Sequence, residues 1–182
     1  MSNFQELSHA IVRRAPGSAN HRGLMQIGHR TIPCAIGRNG STAIKREGDW
    51  ATPLGILLRP QMIYFRADRV KRPRGMLPAK STNPDDGWCD EPLHPQYNQP
   101  VSLPFASSHE KMMRDDGLYD YCVVLDFNRA PKAQKRFGGS AIFLHCAKPG
   151  FQPTAGCIAI ERDMLERLCA RITRRTVFLM AN

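Results

Sequence analysis

His145 and Cys157 are the two residues whose types and spacing could together do covalent chemistry. They lie in the stretch 140–160, SAIFLHCAKPGFQPTAGCIAI. His145 stands near the end of an apolar run, and Cys157 follows twelve residues later, behind a loop rich in Gly and Pro. A thiol attacks as its thiolate, and an imidazole within hydrogen-bond reach is the usual base. On that chemistry His145 is expected to hold the Cys157 thiol as thiolate near neutral pH. Gly156 would let the backbone approach a substrate carbonyl closely, and the amides of 155–157, Ala155 and Gly156 among them, are candidate donors to an oxyanion. Residue type alone leaves a second reading open: a histidine in an apolar strand and a buried cysteine are often structural.

Elements must bring the two side chains together. Residues 140–146 (SAIFLHC) and 157–160 (CIAI) read as strands, and 118–126 (LYDYCVVLD), rich in Tyr and Val, reads as another. Alternation turns Cys146 to the face opposite its neighbour His145. Residues 161–172 (ERDMLERLCARI) have helical spacing, with Met164, Leu165, Leu168, Cys169 and Ile172 on one face and Glu161 and Asp163 in the first turn. Shorter strands are expected at 9–15, 24–28, 31–36 and 176–180. Residues 54–66 are apolar enough to be buried, but Pro60 argues against a continuous central strand or helix there. The stretch 71–109, with prolines from Pro73 to Pro104, shows little periodicity and is expected to be a long loop packed on the body. The fold class expected is mainly β with one or two helices, a sheet-rich α+β sandwich in one domain over 1–182.

The chain has 182 residues, and 42% are hydrophobic, so it can bury a core without staples and is not a disordered chain. The six cysteines form no Cys-x-x-Cys pair, which argues against zinc ribbons and thioredoxin-type redox motifs. They are expected to be buried free thiols, Cys157 apart. A zinc site from Cys89, His94, His145 and Cys146 matches no common spacing, so no metal is expected. The formal charge is +10, which favours an anionic partner. The basic clusters, Lys71-Arg72-Arg74 and Arg171-Arg174-Arg175, carry no aromatic stacking pattern, so nucleic acid is not the expected partner. No apolar run approaches the length of a membrane span, and residues 1–20 show no signal-peptide pattern.

The His145 stretch resembles the catalytic motif of the L,D-transpeptidase (YkuD-like) family, in which an apolar strand ends in His and a loop leads to Ser or Thr, one residue, Gly and the nucleophile Cys. Here these are His145, Thr154, Gly156 and Cys157. A second block, GRNGSTAIKREGDWATPLG from Gly37 to Gly55, resembles the family's Thr-Pro-x-Gly turn at Thr52, Pro53 and Gly55. The similarity runs from about 30 to 180, closest to the short single-domain branch. Two positions depart from it: Ala155 stands where many members carry a second histidine, and Ala159 where many carry Arg or Asn.

The resemblance implies a cysteine-nucleophile acyltransferase of peptidoglycan biosynthesis, with no metal or organic cofactor. Cys157 would form a thioester with a stem peptide, and an amine acceptor would take the acyl group to make a wall crosslink, with the departures leaving room for a non-standard linkage. The alternative on the same thioester is hydrolysis, as an L,D-carboxypeptidase or endopeptidase; a remote one is a non-catalytic basic binding domain. Carbapenem-type inhibitors are expected to acylate Cys157. The substrate places the expected site of action in the periplasm or cell envelope. Substrate contacts are expected at Thr154, at Arg38 as a fork for a carboxylate, and at Trp88, Tyr97 and Asn98 on the proline-rich segment, read as a lid.

Overall fold

Alternation decides which side of the sheet each strand residue serves. In the computed structural model, which describes residues 6–129 and 134–181, the strands are β1 (His9–Arg14), β2 (Arg22–Ile27), β3 (Arg30–Ala35), β4 (Ser41–Thr42), β5 (Thr52–Pro53), β6 (Leu57–Leu58), β7 (Pro60–Phe65), β8 (Ala79–Ser81), β9 (Asp86–Cys89), β10 (Pro100–Ser102), β11 (His109–Lys111), β12 (Tyr121–Leu125), β13 (Phe143–Cys146), β14 (Ile158–Ile160) and β15 (Val177–Met180). The single helix among the described residues is α1 (Arg162–Cys169). The class is therefore mainly β, as expected.

Ten strands form one sheet in the order β6-β15-β1-β2-β3-β14-β13-β12-β7-β8. Tyr121, Val123 and Leu125 of β12, Leu144 and Cys146 of β13 and Ile158 and Ile160 of β14 enter the larger core, with Leu165, Leu168 and Cys169 of α1. The alternate residues Cys122, Val124 and Phe143 face the other side, in a smaller cluster with Trp88, Met112, Tyr119 and Cys157. A second sheet, ordered β10-β9-β11, carries Trp88 into that cluster. Cys146 thus lies across the sheet from its neighbour His145, as alternation requires.

The apolar stretch 54–66 is not one continuous strand, as Pro60 suggested: β6 ends at Leu58, and β7 begins at Pro60 and pairs with β12 on one side and β8 on the other. Proline sits at the first residue of the strand, where its missing N–H is tolerated, and the β7–β12 register shifts beside it, at Val124/Leu125. The proline-rich stretch is not a loop throughout. It contributes β8, β9, β10 and the start of β11, so its turns are proline-marked while its strands are only three or four residues long. Helix α1 stops at Cys169, short of the expected Ile172, yet Ile172 stays in the core. All six cysteines are buried free thiols.

Candidate active site

Strands β13 and β14 run parallel, with Leu144 opposite Ile158 and His145 opposite Ala159. Cys157, two residues before Ala159, therefore shares a face with His145 on the neighbouring strand. Both line one cleft of about 280 Å³. The walls of the cleft are Arg38, Trp50, Tyr119, Thr154 and Ala155, with Glu110, Arg114 and Lys148 supplying further charge.

The loop carrying Cys157 is held from three sides. Thr154 Oγ1 donates to the Cys157 carbonyl (2.6 Å) and accepts from the Gly156 N–H (3.1 Å), closing a turn on its own side chain. The Thr154 N–H donates to Ile36 O (3.1 Å) and its carbonyl accepts from Arg38 N–H (3.0 Å), which lays the loop beside the end of β3. Thr52 Oγ1 donates to Gly156 O (2.9 Å) and accepts from Gly37 N–H (2.8 Å), so the second motif block supports the first directly. Gly156 has φ +138°, a conformation that side chains rarely adopt, and a Cβ there would meet Ala51 O at 2.9 Å. Since the Gly156 N–H is already bonded to Thr154, the amides of Ala155 and Cys157 are the better candidates for an oxyanion hole.

His145 is buried, with Nδ1 2.9 Å from Cys146 O. A carbonyl only accepts, so Nδ1 carries the proton and the neutral ring presents Nε2 as its basic atom. The Tyr119 ring packs edge to face with the imidazole at 5.4 Å between centroids, and the Arg114 guanidinium lies 5.3 Å from the Tyr119 ring centre. Burial pushes His145 down to about 4, and burial pushes the Cys157 thiol up to about 12. Two groups withdrawn from water are disfavoured as ions, so burial favours a neutral thiol beside a neutral imidazole over the expected thiolate. In this state the thiol donates to Ala141 O (3.1 Å) and accepts a longer bond from Phe143 N–H (3.4 Å).

The charges of the cleft are mostly positive. Arg114 is tied to Glu110 and forms a fork with Asp116 (Nη2–Oδ2 2.6 Å, Nε–Oδ1 3.1 Å). Arg38 is stacked on the Trp50 ring at 4.5 Å, and Trp50 itself takes φ +57°. Ala155 and Ala159 both line the cleft with methyl side chains, so space rather than a polar group stands at those two positions.

Of the residues expected at the site, the structure brings together His145, Cys157, Thr154, Ala155, Gly156 and Arg38. It does not bring Trp88, Tyr97 or Asn98 into the cleft; substrate contact is corrected for all three. Trp88 is fully buried against Phe143 (centroids 5.1 Å, edge to face), Tyr97 is buried with its hydroxyl donating to Glu47, and Asn98 is buried in a polar network. Glu110, Arg114, Tyr119, Lys148 and Trp50 were missed. Trp50, Glu110, Arg114 and Tyr119 come from segments far from Cys157 in sequence, while Lys148 lies in the His145–Cys157 loop itself, where a lone lysine carries no motif.

The sequence model of the L,D-transpeptidase catalytic domain family matches residues 21–179. A solved structure of the Bdellovibrio bacteriovorus protein Bd1075 is similar at 14% identity with a TM-score of 0.45, over 96% of this chain and 48% of that one. The chain thus spans about half the length of that protein. No curated protein matches the chain.

Proposed function

We infer the activity from one premise: the chain belongs to the L,D-transpeptidase catalytic domain family. Cys157 acts as the nucleophile that forms a thioester with a peptidoglycan stem peptide and passes it to an amine acceptor. The observation that carries this reading is that His145, on β13, and Cys157, immediately before the parallel β14, line one cleft, with the basic nitrogen of the imidazole left open by the bond at Nδ1.

The steps follow from that geometry. Binding of the stem peptide draws the thiol away from Ala141 O towards His145. The thiol proton passes to Nε2 as sulfur attacks the amide carbon, and the carbonyl becomes an oxyanion facing the loop amides. The C–N bond breaks, the imidazolium gives its proton to the departing amine, and a thioester remains. The acceptor amine then attacks the thioester and loses a proton to His145. The new amide forms as thiolate departs, and the thiolate takes the proton back. The imidazole need be charged only during transfer, so a buried, neutral resting histidine suits the role. Carbapenem-type inhibitors would enter by the same acylation.

Stem peptides carry carboxylates. Arg38 and Lys148, cations on the rim of the cleft, are suited to hold them, and Arg38 has its planar fork steadied by Trp50. Such substrates lie in the cell envelope, so the enzyme works there, in the periplasm. No described helix is long and apolar enough to cross a membrane.

The test is product analysis by mass spectrometry after incubation with tetrapeptide muropeptides. Crosslinked dimers are expected, and their fragmentation would give the linkage. Shortened monomers without dimers would replace transfer by hydrolysis of the same thioester.

A further inference from the structure

The atom that the resting thiol touches is a backbone oxygen, and its placement traces to a side chain remote from the cleft. Ala141, just before β13, has φ +49°, a left-handed conformation uncommon for alanine. Its carbonyl accepts the Cys157 S–H, while its N–H donates to Asn98 Oδ1 (3.0 Å). Asn98 is 1% exposed, and its amide is fully used. Oδ1 also accepts from Trp88 Nε1 (3.0 Å), and Nδ2 donates to Phe127 O and Asn128 O (2.9 Å each). Asn98 itself has φ +55° and donates its N–H to Cys89 O (2.8 Å). A buried polar group with every hydrogen-bonding position satisfied is rigid, because any turn of the amide would leave buried groups unpaired. The one bond that leads to the chemistry is the grip on Ala141 N–H. Asparagine meets the need because one oxygen must accept from Trp88 and Ala141 while one nitrogen donates to two carbonyls.

We propose that Asn98 is a positioning residue for the nucleophile: its hold on the Ala141 amide aims the Ala141 carbonyl at Cys157 Sγ and keeps the thiol protonated and quiescent until a substrate displaces it. The inference rests on Cys157 being the nucleophile proposed above. A carbonyl lone pair facing sulfur favours S–H and opposes S⁻. Loosening that carbonyl therefore makes the thiolate easier to form. The Phe143 N–H, which favours the thiolate, lies on β13 and is not bonded to Asn98.

The experiment is the pH–rate profile of Cys157 alkylation by iodoacetamide, followed by mass spectrometry of the peptide that contains Cys157. Asn98→Ala is expected to raise the rate at pH 7 by about tenfold and to move the profile about one pH unit towards acid. Leu165→Ala is the control. It opens the core on the opposite face of the sheet without touching Asn98, Ala141 or Cys157, and it is expected to lower the melting temperature while leaving the profile in place. Should Asn98→Ala not fold, Asn98→Gly serves, because glycine accepts the φ +55° of this position without strain while removing the same amide. It is expected to shift the profile in the same direction, by about threefold or more in rate. An unchanged profile in folded Asn98→Ala, or in Asn98→Gly, would overturn the proposal and leave Asn98 a structural residue. Because alkylation needs no stem peptide, a shifted profile would stand even where the muropeptide assay shows no product.

Discussion

His145→Ala is expected to lower the rate of Cys157 acylation by stem peptide by about 10²–10⁴-fold, the usual worth of a positioned general base. Alkylation by a small neutral reagent should respond far less. The two assays separate because the resting pair is neutral: His145 is pushed down to about 4 and Cys157 up to about 12, both chiefly by burial. In the wild type, alkylation should climb about tenfold per pH unit across roughly pH 6–9, following the small thiolate fraction. Acylation by substrate draws on the neutral imidazole instead. Because the folded value of His145 lies below its ordinary one, the base is intact at neutral pH and is lost only as the pH falls through about 4. An alkylation plateau beginning near pH 5, erased by His145→Ala, would instead mean a standing thiolate–imidazolium pair. Stopped-flow acylation and timed alkylation of both proteins decide between these.

Gly156→Ala is expected to cost more than its single methyl implies. The added Cβ would lie 2.9 Å from Ala51 O and 3.4 Å from Ile142 Cδ1, and the backbone would have to hold φ +138° with a side chain. Ala51 O belongs to backbone beside the buried Thr52, so it has little freedom to retreat. Strain of about 1–3 kcal/mol should appear as a lower melting temperature. Relief of that strain would shift the loop and break the bonds from Thr52 Oγ1 to Gly156 O and from Thr154 Oγ1 to Cys157 O. A displacement of about 1 Å at the nucleophile is enough for a 10²-fold loss in kcat/KM. Unchanged kcat/KM would mean that the loop does not set the position of the thiol.

The site was legible wherever chemistry and local pattern coincide. The apolar runs around His145 and Cys157 are short and bounded by Gly and Pro, so their strands and alternation could be read directly, including the opposite facing of Cys146. Helix α1 declared itself by the spacing of Leu165, Leu168 and Cys169. The rest depends on contacts between distant segments. Strand β9 is buried at all four residues, Asp86 to Cys89, so it shows no alternation to detect. The aromatic and amide residues Trp88, Tyr97 and Asn98 suit substrate contact by type, yet the small sheet folds them inward, where their polar atoms serve one another, backbone groups and Glu47. Pro60 marked the break between β6 and β7; that β7 begins at the proline itself was not legible, because only a strand's first residue tolerates the missing N–H. The acceptor of the thiol, Ala141 O, is a backbone atom, which no residue type could announce.

The most direct test of the central claim is peptide mapping of the protein rapidly quenched in acid after mixing with a tetrapeptide stem. A thioester on Cys157 should appear as a mass gain equal to the donor less the free D-amino acid released, and it should be absent from Cys157→Ala. An adduct on any other residue, or crosslinked product formed by Cys157→Ala, would contradict the account.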